Sequence, residues 1–527
     1  MPTPEPIVPP KSENSDRFFW RVFALTLGIK LLLAAVVPLT GDEAYFVVWG
    51  RHPDYGYYDH GPMTGWWLWF MLLFGQSTWW VRVPAVLVPL AAGWLLRGVL
   101  RPIDRDKGNI AATLFLLSPG NVLNVLITTD TPLLFFSAIS TVLVYRALRQ
   151  NRLRDFSLAG FFLGLAFLSK FFAVLLGLAF AVLLLGFRRP AHWRGLTALL
   201  AGVLPSAAVV IAWNYNHYWE NLLFNVVNRN AGARLSPASL PAYLGTIAVL
   251  LGPGVLYYLL RRRFAGRLGW PEGWSRLRDA GLHVFVLAAA VPLLVLGLIA
   301  IMRNVGLHWA LSFYPFLFAG LFGLFTGDGL RAMVRPMACY SFALAGIVVV
   351  AMGLPLDLAQ RHKSYPTIVL GVHPEEVLAA AQAGREDCLL STPSYAKSAL
   401  LGFHSRRYVP VIGLGSYHAR QDDLLTDFRT LDGRNIAVLA GAPKELEPMK
   451  GWFREAEVRE LRVRGAPLAL LAGRGFRYAV YREEVLKPVA ERYYRMPAWL
   501  KPLSKPHGFP VRYDLEATLG IEEGSEN

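Results

Sequence analysis

The sequence predicts a polytopic α-helical membrane protein with about eleven transmembrane helices and a small C-terminal α/β extracytoplasmic domain. Three observations carry this. Of 527 residues, 54% are hydrophobic and only 17% charged, with 16 Trp, which is too apolar for a soluble chain of ordinary composition. Long apolar runs follow one another as far as residue 354. From about 355 the character changes: short apolar strands such as NIAVLAG (435–441) and PLALLAG (467–473) alternate with mixed helical patterns such as PSYAKSALLGF (393–403).

Taken in order, residues 1–17 are a Pro-rich polar tail, expected in the cytoplasm. The apolar run after it is too long for a signal peptide and lacks a small-residue cleavage site, so it reads as a retained first span. A bilayer core of roughly 30 Å needs about 20 apolar residues per helix. Suitable runs lie at about 18–40, 81–100, 109–127, 131–148, 195–213, 240–260, 282–301, 308–326 and 337–354. The stretch 156–187, interrupted by Ser169-Lys170, fits either one span with an interfacial piece or two short spans. The run PMTGWWLWFMLLFG (62–75) is short and Trp-rich, which favours an interfacial or re-entrant segment within a first outer loop, 41–80. The domain reading is therefore a tail 1–17, a membrane domain 18–354 and an α/β domain 355–527.

Charge then orients the chain. Through residue 354 there are 29 Lys/Arg against 15 Asp/Glu, whereas the remainder has 24 against 22, so nearly all of the net +16 lies in the apolar part. A nucleic-acid surface would not be spread among spans, and no nucleic acid partner is expected. With 62–75 not crossing and 156–187 crossing twice, one set of loops holds 21 basic residues. The other holds six: Arg51, Arg82, Lys170, Arg229, Arg234 and Arg303. The positive-inside rule then puts the N-terminus in the cytoplasm and the C-terminal domain outside. Cys339 and Cys388 sit in surroundings too different for a disulfide, and no metal-ligand spacing occurs.

The outer ends of the spans collect almost every unusual polar residue: Asp42-Glu43, Asp54, Asp59-His60, Asp130 after two threonines, Lys170, WNYNHYWENLLFNVVNRN (213–230) and RNVGLHW (303–309). Ionisable groups at membrane level are costly and tend to mark substrate paths or reaction sites. Carboxylates are suited to activate a hydroxyl, and Lys or Arg to stabilise a departing phosphate. With no nucleotide pool outside the membrane, a glycosyl donor there must be membrane-borne, and a polyprenyl-phosphate sugar meets that need.

The segments GDEAYFVVWGRHPDYGYYDHGPM (41–63), TTDTPLLFF (128–136), GLAFLSKFFAVLL (164–176), WNYNHYW (213–219) and GLHWAL (306–311) resemble, in this order, the motifs of bacterial GT-C-fold glycosyltransferases. The relatives are the protein O-mannosyltransferases and the lipid A aminoarabinose transferase, and the likeness covers about 18–330. It implies a GT-C fold in a bacterial inner membrane. It also implies transfer of a lipid-phosphate-linked sugar on the periplasmic side to a glycan, lipid or protein acceptor, with the first-loop Asp-Glu pair at the active site.

Carried over, Asp42 is the catalytic base, with Glu43 as orienting group or second acid. Asp59 and His60 match the signature's Asp-His, although Gly61-Pro62 stands where Pro-Pro is commoner, and Lys170 matches the position expected near the donor phosphate. Tyr58, Asp130, Asn214, Arg229 and His308 complete the candidate donor set, with Arg303 added from its place beside GLHW. Bland readings stand beside these. Asp42 would also suit a helix end, Asp59-His60 a turn, Asp130 an N-cap and Lys170 an interfacial anchor. No cofactor is required. A divalent metal would take Glu43 and His60, although nothing in their spacing demands one. A transporter or flippase of a lipid-linked glycan is the alternative, but the acids lie at outer ends and no internal repeat occurs. A scaffold role would leave the clustered acids, Lys and aromatics without a purpose.

Overall fold

The computed structural model describes residues 11–186, 190–230, 239–264, 270–302, 304–503 and 508–520. They fall into two compact units. One comprises Met1–Val37, Gln76–Ala207 and Ala233–Gly353, the other Pro38–Gly75, Ala208–Gly232 and Leu354–Asn527.

In the first unit the apolar runs become helices. Among the described residues seven helices are long and apolar enough to cross a membrane: Glu13–Val36, Thr78–Leu100, Asp130–Gln150, His192–Asn216, Ser239–Phe264, His283–Ala300 and Gly327–Gly353. The stretch 156–187 is two helices, Leu153–Ser169 and Ala173–Gly186, parted by Lys170 in extended backbone. Two expected spans are not single long helices. The run 109–127 gives a 13-residue helix, Arg105–Leu117, because Ser118 leaves helical geometry ahead of Pro119. The run 308–326 gives two short 3₁₀ turns and the eight-residue helix Leu317–Leu324.

Small residues bring two of these helices close. A Cβ on Gly160 would lie 1.9 Å from the Leu199 carbonyl oxygen, and one on Gly202 would lie 2.1 Å from that of Ser157, so backbone meets backbone as in small-xxx-small membrane packing. The helix Ser239–Phe264 is kinked at Gly252, whose φ of 75° precedes Pro253.

The second unit contains the first loop, with the helices Gly41–Arg51 and Met63–Leu72. The latter has ten residues and is too short to cross a bilayer, and it leaves Trp69 and Phe70 exposed. The unit also contains a four-stranded mixed sheet of strands β1 (Leu389–Ser391), β2 (Ile436–Ala440), β3 (Phe453–Val463) and β4 (Ala466–Phe476), ordered β1-β2-β4-β3. β1 and β2 are parallel, and the other pairs antiparallel. All five residues of β2 are buried, as expected of a strand covered on both faces. β3, at the edge, alternates with charge, including Glu455, Glu457 and Arg459, which protects it from pairing with another chain. Arg464 and Gly465, both with positive φ, form the two-residue β3–β4 turn. The core joins Ile436, Val438 and Leu471 to Trp452, Phe476 and Tyr481.

Candidate active site

The helix Gly41–Arg51 starts where Thr40 and Glu43 close a capping box. The Glu43 N–H donates to Thr40 Oγ1 at 3.3 Å, and the Thr40 N–H donates to Glu43 Oε2 at 3.1 Å. Glu43 is fully buried and holds the turn that presents its neighbour. Asp42, by contrast, is exposed and accepts one hydrogen bond, from the Tyr395 hydroxyl at 2.9 Å. An exposed carboxylate with spare acceptor capacity has what a general base needs.

Asp59 is the opposite case. It is 2% exposed and faces His418 Nδ1 at 3.2 Å, His60 Nδ1 at 3.5 Å and the Tyr45 hydroxyl at 3.4 Å. Burial pushes its carboxyl up, but His60 and His418 outweigh burial and hold it well below the usual carboxylate range. Such a group stays ionised and is a weak base, so it fixes charge and ring orientation. Burial and the Asp59 charge push the Tyr45 hydroxyl well up, which keeps it a donor.

The segment 213–230 supports this loop within the same unit. Asn221 Nδ2 donates to the Tyr57 carbonyl at 2.8 Å, and Asn225 Nδ2 to that of Asp59 at 3.2 Å. Trp213 Nε1 donates to Asp54 Oδ2 at 3.2 Å. Asn214 turns its side chain to backbone, donating to the Val210 carbonyl and accepting from the Leu222 N–H. Tyr58 is buried, with its N–H on Gln421 Oε1 at 2.8 Å and its hydroxyl near Asn228 Nδ2. Arg229 lies over the Phe224 ring at 6.0 Å.

In the membrane unit three motifs far apart in sequence meet. Lys170 Nζ lies 2.6 Å from Asp130 Oδ2, with the two residues 4% and 3% exposed. Lys170 also sits over the Phe172 ring at 4.9 Å, and that ring packs edge-on against Trp309 at 4.6 Å. His308, next in chain, is exposed. Asp130 is the first residue of its helix rather than its N-cap, which is Thr129, and among the described residues its buried Oδ1 has no hydrogen-bond partner. The pair is thus charge-matched. Arg303 lies outside the described residues. Among the described residues no group of three or more His, Cys, Asp or Glu side chains is arranged to hold a metal ion.

Several site residues escaped sequence reasoning. His418 and Tyr395 reach Asp59 and Asp42 from far along the chain, and nothing in their local sequence marks them. Lys30 did carry a signal, a lone Lys in the first apolar run. It is fully buried and donates to the Asn121 carbonyl at 2.7 Å, tying down the turn that leads to Asp130.

A family model described as dolichyl-phosphate-mannose-protein mannosyltransferase matches residues 59–213, a stretch that includes Asp59, His60, Asp130 and Lys170. Lipid A galacturonosyltransferase RgtD of Rhizobium johnstonii is 31% identical over 186 residues, which are 33% of this chain and 38% of that protein. The chain thus spans well under half the length of this curated relative. The crystal structure of ArnT from Cupriavidus metallidurans in the apo state superposes with a TM-score of 0.62 at 15% identity, covering 87% of this chain and 98% of that one. The same protein bound to undecaprenyl phosphate gives a TM-score of 0.60, also at 15% identity, covering 86% and 98%. Residues 59–213 are thus similar to the mannosyltransferase family model, and the chain as a whole shares the fold of the ArnT structures.

Proposed function

We propose that the chain transfers a sugar from a polyprenyl-phosphate donor to an acceptor hydroxyl on the periplasmic face of a bacterial inner membrane. The acceptor class is lipid A or lipopolysaccharide core, another envelope glycan or lipid, or a protein. The observation that carries the reading is the fold shared over most of the chain with ArnT, one of whose structures holds undecaprenyl phosphate. In this reading about eleven helices form the membrane domain, and the C-terminal α/β region lies outside.

The acceptor oxygen attacks the anomeric carbon, its proton passes to Asp42, and the bond from that carbon to the phosphate oxygen breaks with the electron pair leaving on the phosphate. Asp42 suits the base role because it is exposed and held by a single hydroxyl. Glu43 positions it through the capping box, and Asp59 with His60 and His418 fixes the loop's charge. Lys170 stabilises the departing phosphate, and its partner Asp130 sets its rest position. Tyr58, Asn214 and Arg229 act through the shape of the loop, while His308 flanks the donor.

The test is mass spectrometry of envelope lipids, glycans and glycoproteins from cells with the intact chain, without it, and with Asp42→Asn. Loss of one glycosyl mass in both defective strains is expected, with transfer by Asp42→Asn at least about 100-fold down at normal membrane abundance. Unchanged transfer by Asp42→Asn would sink the base assignment, and loss only when the whole chain is absent would favour transport of a lipid-linked glycan.

A further inference from the structure

Within the second unit the helices Gly41–Arg51 and Tyr395–Ser405 border a cavity of about 270 Å³. This is near the lower end of the range for small-molecule sites and suits one sugar residue with one charged substituent. Three guanidinium groups line it: Arg51, Arg406 and Arg407. Arg51 is fixed in place by donating to the carbonyl oxygens of Gly402 at 2.9 Å and Phe403 at 3.4 Å, the end of the second helix. Arg406 and Arg407 are exposed, and among the described residues neither pairs with a carboxylate. The positive charge of Arg406 and of Arg51 is felt by their neighbours. Burial and then Arg406 push the Arg51 guanidinium down from its usual range, and burial and then Arg51 do the same to His52 at the cavity wall.

The rest of the wall has the chemistry of a sugar site. Tyr45, Tyr395 and Tyr408 offer rings, and Gln421 and Asp422 offer acceptors for ring hydroxyls. Asp422 takes a hydrogen bond from the Tyr408 hydroxyl at 2.7 Å. Burial pushes its carboxyl up to about 7, so near neutral pH it offsets only part of the cationic charge. The cavity also adjoins the acids of the loop. Tyr45 and Tyr395 pack edge to face at 5.1 Å, and their hydroxyls donate to Asp59 and Asp42.

We propose that this cavity is an acceptor subsite for an anionic saccharide, a sugar bearing phosphate or carboxylate whose charged group is held by Arg51, Arg406 and Arg407. It rests on the glycosyl-transfer reading above, since Tyr395 links the cavity wall to Asp42. Exposed guanidiniums at the rim select the charge, and the tyrosines, Gln421 and Asp422 orient the ring.

The test uses the purified full chain in nanodiscs, with glucosamine 1-phosphate, galacturonate and neutral galactose as probes followed by saturation-transfer NMR and calorimetry. Binding of at least one anionic probe and not of galactose is expected, and which anion binds more tightly separates phosphate from carboxylate. Arg406→Ala/Arg407→Ala should weaken that binding about tenfold or more, and the double Lys variant, which keeps the charge, should retain part of it. In the transfer assay the double Ala variant should raise the acceptor KM with kcat little changed. Equal binding of galactose, or unaltered anion binding by the double Ala variant, overturns the subsite while leaving the Asp42→Asn result intact. Full transfer by Asp42→Asn together with Arg-dependent anion binding would instead overturn the Asp42 base assignment and leave the anion site standing.

Discussion

The carboxylates Asp42, Asp59 and Asp130 differ in surroundings, and surroundings decide what each can do. Asp42 is open and lightly held, Asp59 is locked between two imidazoles, and Asp130 is neutralised by Lys170. The last pair yields a prediction. Removing one member of a buried ion pair leaves an uncompensated charge and costs roughly 3–5 kcal/mol, whereas replacing both by neutral groups of like volume costs far less. Lys170→Met should therefore lower the thermal midpoint in detergent sharply, and Lys170→Met/Asp130→Asn should recover much of it, while transfer is lost in both. A Lys that merely anchored at the interface would show no such coupling in the double-mutant cycle. At this scale the sequence revealed residues that are costly where they stand, such as Asp130 and Lys170. It hid the partners of Asp59 and Asp42, because His418 and Tyr395 are brought to the acids by tertiary structure and are ordinary in their own segments.

Among the elements, the strands at 435–441 and 467–473 and the helix near 393–403 were legible from period and composition, as were the long spans. The segments 109–127 and 308–326 were not, since run length cannot register a helix that stops inside apolar surroundings. Backbone freed there finds partners within the protein. The Ser118 hydroxyl donates to the Phe115 carbonyl and lies 3.0 Å from the Tyr314 hydroxyl, and Lys30 satisfies Asn121. Such irregular backbone at membrane depth is tolerated only where protein or a water-filled cavity surrounds it. The close helix pair gives the prediction at this scale. Gly160→Ala forces a methyl group against the Leu199 carbonyl and should cost about 1–3 kcal/mol, read as a lower thermal midpoint. Gly98→Ala, with nothing within 4 Å of the new carbon, should be neutral or stabilise the helix by up to about 1 kcal/mol. Equal effects of the two substitutions would contradict close backbone packing at Gly160.

For the whole molecule, orientation follows from charge: with 21 basic residues in one set of loops against six in the other, the C-terminal region is expected outside. The two cysteines make this measurable without adding a reporter. Both are free. Cys339 lies in the apolar helix Gly327–Gly353, and Cys388 is a half-buried residue at the start of β1. Burial and the neighbouring Asp387 push the Cys388 thiol up, so its reactive thiolate is scarce at neutral pH, where maleimides are thiol-selective, and labelling needs a long exposure. A membrane-impermeant maleimide applied to intact spheroplasts should then modify the chain once, and Cys388→Ser should abolish the signal. Cys339 should stay unlabelled, since a polar reagent does not enter the hydrocarbon around its helix. Labelling of Cys388 only after the membrane is broken would reverse the orientation. The first loop and the C-terminal region would then face the cytoplasm, where nucleotide sugars are available and the argument for a lipid-linked donor lapses.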